Sequence, residues 1–200
     1  MSPGLANRRS PEVMTPGSSV CQASQRGPSI IRPSSDESYL DELPGWATTA
    51  ERAYLRRLPT EQRRVLDAYV DWLTPAAEWT TFATFTWPDR YADEHRGLYG
   101  PRGAARWVER FMGWTGYDGS LVIAPEGHKW RDVHHAHMLA ERVDWRTMLG
   151  RYTGEVGSSY GLDICRASRG ALAYACKYAL KTGLSEHVVL RLADSGMVPR

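Results

Sequence analysis

The chain lacks an apolar segment of the roughly 20 residues that are needed to cross a bilayer. Its first residues, MSPGLANRRSPEV, contain no apolar run of the kind found in secretory signal peptides. Its three cysteines, Cys21, Cys165 and Cys176, have neither the density of a disulfide-stabilised protein nor CxxC spacing. These absences argue against a membrane-spanning or disulfide-stabilised protein, and we expect a cytoplasmic one.

A large charge of one sign is also missing, since the net charge is only +2. The small positive excess lies in residues 79–183, which contain 14 basic and 11 acidic residues. This distribution permits a polyanionic partner without requiring one. The chain has no GxxxxGK[ST] phosphate-binding loop, so we do not expect an ATP-driven motor.

Four regions can be distinguished along the chain by composition and apolar spacing. Residues 1–45 are rich in Pro, Ser and Gly without apolar periodicity, which predicts a disordered tail. Residues 46–78 form a predicted N-terminal helical segment, and residues 79–183 carry most of the regular pattern. Residues 184–200 are predicted to be a C-terminal helix or tail.

The spacing of apolar residues predicts alternating strands and helices. Strands are expected at 79–87, 120–126, 133–141 and 161–168, and helices at 60–73, 103–114, 144–155 and 169–183. The second and third strands are separated by a short polar loop, which is typical of a hairpin. This order predicts an α+β domain in which helices flank a central antiparallel sheet, with Trp87, Trp107 and Trp114 in its core.

The third predicted strand contains three histidines within DVHHAHMLAE. Alternate residues of a strand point to opposite faces, so His135 and His137 share one face while His134 faces away. Two imidazoles on one face can bind the same ion. A His-x-His pair on a strand also occurs as surface or packing chemistry, so the pair alone does not define a metal site.

A third ligand is needed if the two histidines bind a metal. Glu126 ends the preceding strand, and a hairpin would bring its carboxylate near His135 and His137. Two imidazoles and one carboxylate, with positions left open for water or substrate, suit a catalytic divalent ion. His128 is an alternative third ligand from the same loop.

The predicted helix at 169–183 carries two tyrosines and two lysines on one face. At 100° per residue, Tyr174, Lys177, Tyr178 and Lys181 lie opposite a stripe of small apolar residues. An ammonium group near a phenol can stabilise the phenolate and balance phosphate charge. The alternative is an ordinary amphipathic helix with a solvated Tyr/Lys face.

Together, these features supply the parts of a phosphodiester transesterification. A metal ion polarises a phosphate oxygen, a tyrosine attacks phosphorus, and a lysine stabilises the developing charge. In these features the sequence resembles the rolling-circle replication initiators of the HUH endonuclease family. FATFTWP (82–88), HAHML (135–139) and YACKYALK (174–181) are similar to their three motifs, in order, over residues 79–183.

The resemblance implies a ferredoxin-like or RRM-like antiparallel sheet, Mg²⁺ or Mn²⁺, and site-specific nicking of single-stranded origin DNA through a 5′-phosphotyrosine. It implies Glu126, His135 and His137 as metal ligands, with Tyr174 and Tyr178 as nucleophiles and Lys177 as the motif lysine. The pair of tyrosines is similar to initiators of single-stranded DNA phages and related plasmids. Because no helicase domain follows, a host helicase and polymerase in a bacterial cytoplasm are expected partners.

Several basic residues and one tryptophan are candidate DNA contacts. Arginine and lysine would neutralise phosphates, and tryptophan would stack on a base. The candidates are Arg102, Arg106, Arg110, Lys129, Trp130, Arg131, Arg166 and Arg169. A transposase or relaxase with the same chemistry, and a non-catalytic nucleic-acid-binding module, remain alternative functions.

Overall fold

The computed structural model describes residues 37–128, 131–180 and 187–193, without the side chains of residues 37–39, 178 and 179. Within these ranges the chain forms an α+β fold with a five-stranded antiparallel sheet flanked by helices, which confirms the predicted class. The strands have the order β4-β1-β3-β2-β5. Their bounds are β1 Trp79–Phe85, β2 Leu121–Gly127, β3 His134–Glu141, β4 Leu162–Arg166 and β5 Val189–Arg191.

Helices cover both faces of the sheet. Their bounds are α1 Thr49–Arg56, α2 Thr60–Leu73, α3 Asp89–Glu94, α4 Pro101–Trp114, α5 Trp145–Val156 and α6 Arg169–Cys176. Short 3-10 helices occupy Glu37–Glu42, Arg96–Tyr99 and Lys177–Leu180. The sheet therefore has an apolar core on each side.

Alternation along the strands assigns residues to these two cores. Phe85, Met138 and their neighbours on one face pack with α3, α4 and α5. Phe82 and Leu139 on the other face pack with α1, α2 and α6. The strands are thus apolar on both faces, as expected of a sheet between two helical layers.

The structure differs from the expectations at both ends of the described chain. The predicted disordered tail ran to residue 45, but residues 37–42 form a 3-10 helix, and Leu40 and Leu43 are buried. The predicted C-terminal helix or tail instead contributes β5, which pairs with β2. Residues 1–36 and 194–200 lie outside the described residues.

The helix with the tyrosines is also built differently from the prediction. Its α-helical part ends at Cys176, and residues 177–180 continue as a 3-10 helix. Tyr174 and Lys177 are as deeply buried as Leu172 on the supposed core face. The idea of a solvated Tyr/Lys face is therefore wrong for these two residues, because α6 is packed against β3 and against α2 and the first 3-10 helix.

Among the described residues, no helix has the length and apolarity required to span a bilayer. Two of the three tryptophans that we expected in the core, Trp87 and Trp107, are buried. Trp114 is 48% exposed and is not a core residue, because it is the last residue of α4.

Candidate active site

The β2–β3 hairpin brings the predicted metal ligands together. The two strands pair in a register that places Glu126 directly opposite His135 and Ala124 opposite His137. Side chains directly opposite each other on antiparallel strands lie on the same face. The sequence argument for Glu126 thus holds in the structure, because the predicted hairpin forms with this register.

Glu126, His135 and His137 form a compact triangle of donor atoms. Oε2 of Glu126 lies 3.1 Å from Nε2 of His135 and 3.4 Å from Nε2 of His137, and the two imidazole nitrogens are 3.2 Å apart. Adjacent ligands of an octahedral ion with bonds of about 2.1 Å lie roughly 3 Å apart. The three atoms therefore have the spacing of ligands on one ion, and the group could hold a metal ion.

Residues around His137 fix the orientation of its ring. Thr84 on β1 lies opposite His137, and its Oγ1 is hydrogen-bonded to Nδ1 at 2.9 Å. The ring of Phe82 stacks on the imidazole with a centroid distance of 5.8 Å. A hydrogen bond to the second ring nitrogen orients metal-bound histidines, so Thr84 leaves Nε2 directed at the other donors.

Burial and charge favour the metal-binding forms of these groups. Burial lowers the pKa of His137 to about 3, so its imidazole is neutral at physiological pH. Burial alone would raise the pKa of Glu126, but hydrogen bonds with His135 and His137 and the charge of Lys177 outweigh it and leave the pKa well below its usual range. A neutral imidazole and an ionised carboxylate are the states that bind a cation.

The other two histidines of this region are not part of the triangle. His134 lies on the opposite face of β3, as strand alternation predicted. His128 approaches His135 only edge-on, with a centroid distance of 5.9 Å, and supplies no donor atom to the group. The structure therefore favours Glu126 over His128 as the third ligand.

Tyr174 and Lys177 lie beside this triangle. The Tyr174 ring meets the His137 ring edge-on, with centroids 5.1 Å apart. Nζ of Lys177 lies 3.4 Å from the centroid of the Tyr174 ring and 4.0 Å from Oε2 of Glu126. A buried ammonium group is thus shared between the predicted nucleophile and the predicted metal ligands.

Glu51 on α1 completes this group and was not identified from the sequence. Its Oε1 accepts hydrogen bonds from the Tyr174 hydroxyl and from Nζ of Lys177, the latter at 2.8 Å. Burial raises its pKa, but the hydrogen bonds from Lys177 and Tyr174 dominate in sum and lower the pKa to about 2. The available signal was the sequence Thr48-x-x-Glu51, a capping box that marks the start of α1.

Some predicted site residues are not described. Lys129, Trp130 and Lys181 lie outside the described residues, and for Tyr178 only the backbone is described. The 3-10 turn that contains Tyr178 advances by about 120° per residue, in place of the 100° of an α-helix. Because the side chain of Tyr178 is not described, the predicted common face of Tyr174 and Tyr178 stays a prediction.

The candidate DNA-binding arginines have different environments. Arg102, Arg106, Arg110 and Arg166 are exposed. Arg131 donates to Asp89 and, at 2.7 Å, to the carbonyl oxygen of Trp87, so it ties the segment before β3 to the connection between β1 and α3. Arg169 is only 6% exposed and pairs with Asp71 of α2, which leaves little of its side chain accessible in this structure.

Comparisons with protein-family models, with curated proteins and with solved structures give no match to this chain.

The metal-free protein should become less stable as the pH falls, because His137 takes up a proton more readily in the unfolded chain than in the folded protein. Its pKa is about 3 in the folded protein and 6.5 in an exposed histidine, so the unfolded chain binds more protons between these values. The free energy of unfolding should then decrease as the pH falls, by up to about 1.4 kcal/mol per pH unit for one proton. Urea unfolding in EDTA between pH 6.5 and pH 4.5 measures this slope. A His137→Gln variant should show a shallower slope, and equal slopes would contradict the assignment.

Proposed function

We propose that the chain is a site-specific endonuclease and strand transferase that nicks and rejoins single-stranded origin DNA and thereby starts rolling-circle replication. The main support is that a candidate metal site and a tyrosine–lysine pair share one face of the sheet. Lys177 links them, with its Nζ 4.0 Å from Oε2 of Glu126 and 3.4 Å from the centroid of the Tyr174 ring. A tyrosine nucleophile, a cation and metal ligands are the groups that a transesterification through phosphotyrosine needs.

In the proposed reaction, Tyr174 attacks the scissile phosphate of the DNA strand. Its oxygen forms a bond to phosphorus while the bond from phosphorus to the 3′ oxygen breaks. The phenol gives up its proton, and the departing 3′ oxygen takes up a proton, so no net proton is gained or lost. The products are a 5′-phosphotyrosine and a free 3′-OH, and Lys177 stabilises the negative charge on the transferring phosphate.

Glu126, His135 and His137 would hold a divalent ion, which we propose to be Mg²⁺ or Mn²⁺. When bound, such an ion supplies positive charge and polarises a phosphate oxygen. The two nitrogen donors favour Mn²⁺ over Mg²⁺, because Mg²⁺ prefers oxygen ligands. His135 and Glu126 are the partly exposed members of the triangle, with 16% and 14% of their side chains accessible, and form its solvent side.

A second tyrosine gives this chemistry a way to rejoin the strand. Tyr178 follows in the turn after α6, and we propose that it carries out a second transfer, with Lys181 as its neighbouring cation. The exposed Arg106 and Arg166, together with Lys129 and Trp130, are proposed DNA contacts. Unwinding and synthesis would be supplied by a host helicase and polymerase in a bacterial cytoplasm.

The test is formation of a covalent adduct between the protein and DNA. The chain is incubated with Mn²⁺ and a randomised pool of single-stranded oligonucleotides labelled at the 3′ end, because a 5′-phosphotyrosine retains that end. We expect a labelled protein band under denaturing conditions and none in EDTA. The Tyr174→Phe/Tyr178→Phe double variant should form no adduct, whereas Tyr69→Phe, which alters an exposed tyrosine of α2, should behave as the unmodified protein.

The results separate this proposal from the alternatives. An adduct with the double variant would contradict the assignment of the nucleophiles. A chain that binds the oligonucleotides without metal and without an adduct would be a non-catalytic binding module. The sequence of the captured DNA distinguishes a replication origin from transposon ends or a transfer origin.

A further inference from the structure

The two carboxylate oxygens of Glu51 have separate tasks in the structure. Oε2 accepts hydrogen bonds from the backbone N–H and the hydroxyl of Thr48, both at 2.8 Å, and so caps α1. Oε1 has other partners, since it accepts from the Tyr174 hydroxyl and from Nζ of Lys177. One side chain therefore joins the start of α1 to the candidate nucleophile and its neighbouring cation.

We propose that Glu51 is the positioning residue of this site, which holds the Tyr174 hydroxyl and the Lys177 ammonium in place and accepts the phenolic proton during attack. This inference rests on the proposed function, and it adds α1 to the machinery of the site. The proton passes from the Tyr174 oxygen to Oε1 of Glu51 as the bond to phosphorus forms.

The contacts explain how a carboxylate here can serve both purposes. Glu51 is ionised at neutral pH because Lys177 and Tyr174 stabilise its charge, so Oε1 is a strong acceptor for the phenol. The ionised carboxylate is a weak base while the phenol is intact. As the oxygen bonds to phosphorus, the phenolic proton becomes far more acidic, and transfer to the adjacent carboxylate becomes favourable.

Because Tyr174 and Lys177 are buried, the orientation of their polar groups should depend strongly on the Glu51 carboxylate. Tyr174 and Lys177 are 2% and 1% exposed, so water has little access to either group. Phe82 and His137 confine the Tyr174 ring through edge-on contacts. Within these surroundings, the Glu51 carboxylate accepts a hydrogen bond from the Tyr174 hydroxyl.

Two variants separate the tasks of the two oxygens. Glu51→Gln preserves the capping box, since glutamine also serves at this position of the motif. Its amide group, however, provides only one acceptor, and an N–H₂ group directed at Tyr174 and Lys177 would face two donors. Thr48→Ala removes the hydroxyl that accepts from the backbone N–H of Glu51 and donates to Oε2, but it keeps the backbone N–H bond to Oε2 and the contacts of Oε1.

The experiment measures the single-turnover rate of adduct formation, the affinity for the same oligonucleotide in EDTA, and the melting temperature of each full-length variant. We expect Glu51→Gln to reduce the rate about 100-fold, a typical contribution of proton transfer to a positioned group. Its DNA affinity should remain close to that of the unmodified protein, whereas its melting temperature should fall, because the buried Lys177 ammonium loses the carboxylate that pairs with it. Thr48→Ala should lower the melting temperature and leave the rate at saturating DNA unchanged.

The outcomes distinguish this inference from the proposed function. A normal rate for Glu51→Gln, or equal losses for Glu51→Gln and Thr48→Ala, would overturn the role of Glu51 while leaving the nuclease assignment in place. A faster rate would also overturn it, because Glu51 would then be restraining Tyr174 and Lys177. Absence of any adduct with the unmodified protein would overturn both proposals.

Discussion

Replacement of His137 by Ala is expected to weaken Mn²⁺ binding by at least about 100-fold, because even the loss of a residue that only orients a metal ligand costs 10- to 100-fold. His137 is the most deeply buried member of the triangle, and its Nε2 lies within 3.4 Å of both other donor atoms. Its removal leaves one imidazole and one carboxylate, too few protein ligands for tight binding. Titration of Mn²⁺ followed by electron paramagnetic resonance of the free ion measures the change.

The neighbouring His134 provides the matched control. It is only three residues away on the same strand, but it faces the opposite side of the sheet and is not part of the triangle. His134→Ala should therefore bind Mn²⁺ as tightly as the unmodified protein. Equal losses in the two variants would show that Mn²⁺ binding depends on the integrity of β3, and not on the group formed with Glu126 and His135.

Replacement of Lys177 by Met should lower the free energy of unfolding of the metal-free protein by about 3 kcal/mol, the cost typical of breaking a buried ion pair. The ammonium of Lys177 is 1% exposed and lies between the carboxylates of Glu51 and Glu126, at 2.8 Å and 4.0 Å. Without it, two poorly hydrated negative charges lose the cation between them. Urea unfolding in EDTA measures the loss.

Two further measurements identify the cause of this destabilisation. The double variant Lys177→Met/Glu51→Gln should recover part of the loss, because one of the two uncompensated carboxylates is removed. Added Mn²⁺ should also restore stability in Lys177→Met, since cation binding at Glu126 neutralises the other. A loss below about 0.5 kcal/mol, the size usual for surface substitutions, would contradict the shared ion pair.

The three candidate metal ligands could be predicted from the sequence because the pattern that identifies them lies within two adjacent strands. Strand alternation separates His134 from His135 and His137, and a short polar loop predicts the hairpin that places Glu126 opposite His135. Both arguments need only two adjacent strands. The choice between Glu126 and His128 depended on the register of the hairpin, which the sequence leaves open by one or two residues.

The contribution of α1 could not be predicted in the same way. Glu51 meets Tyr174 across 123 residues of sequence, and such a contact has no local pattern. The short helix carries a recognisable capping box, but that motif only predicts a helix start. It does not show that the second oxygen of the carboxylate reaches another element.

Helix periodicity misled the interpretation of α6 for a related reason. A stripe of small apolar residues opposite a Tyr/Lys stripe is typical of a helix with one buried face. In the structure, Tyr174 and Lys177 contact residues of the sheet, while α6 also packs against α2 and the first 3-10 helix. Periodicity indicates that the two stripes differ, but it does not reveal that the polar stripe is enclosed.

The register of β3 against β2 determines whether the metal group exists at all. A slip of one residue would turn His134 and Ala136 toward Glu126 and place His135 and His137 in the core beneath α4. A divalent ion would bind only the native pairing and would stabilise it in proportion to its concentration and affinity. Metal binding would thus favour the native alignment of β2 and β3 over a slipped one, so the same three side chains would contribute both a metal site and the specificity of strand pairing.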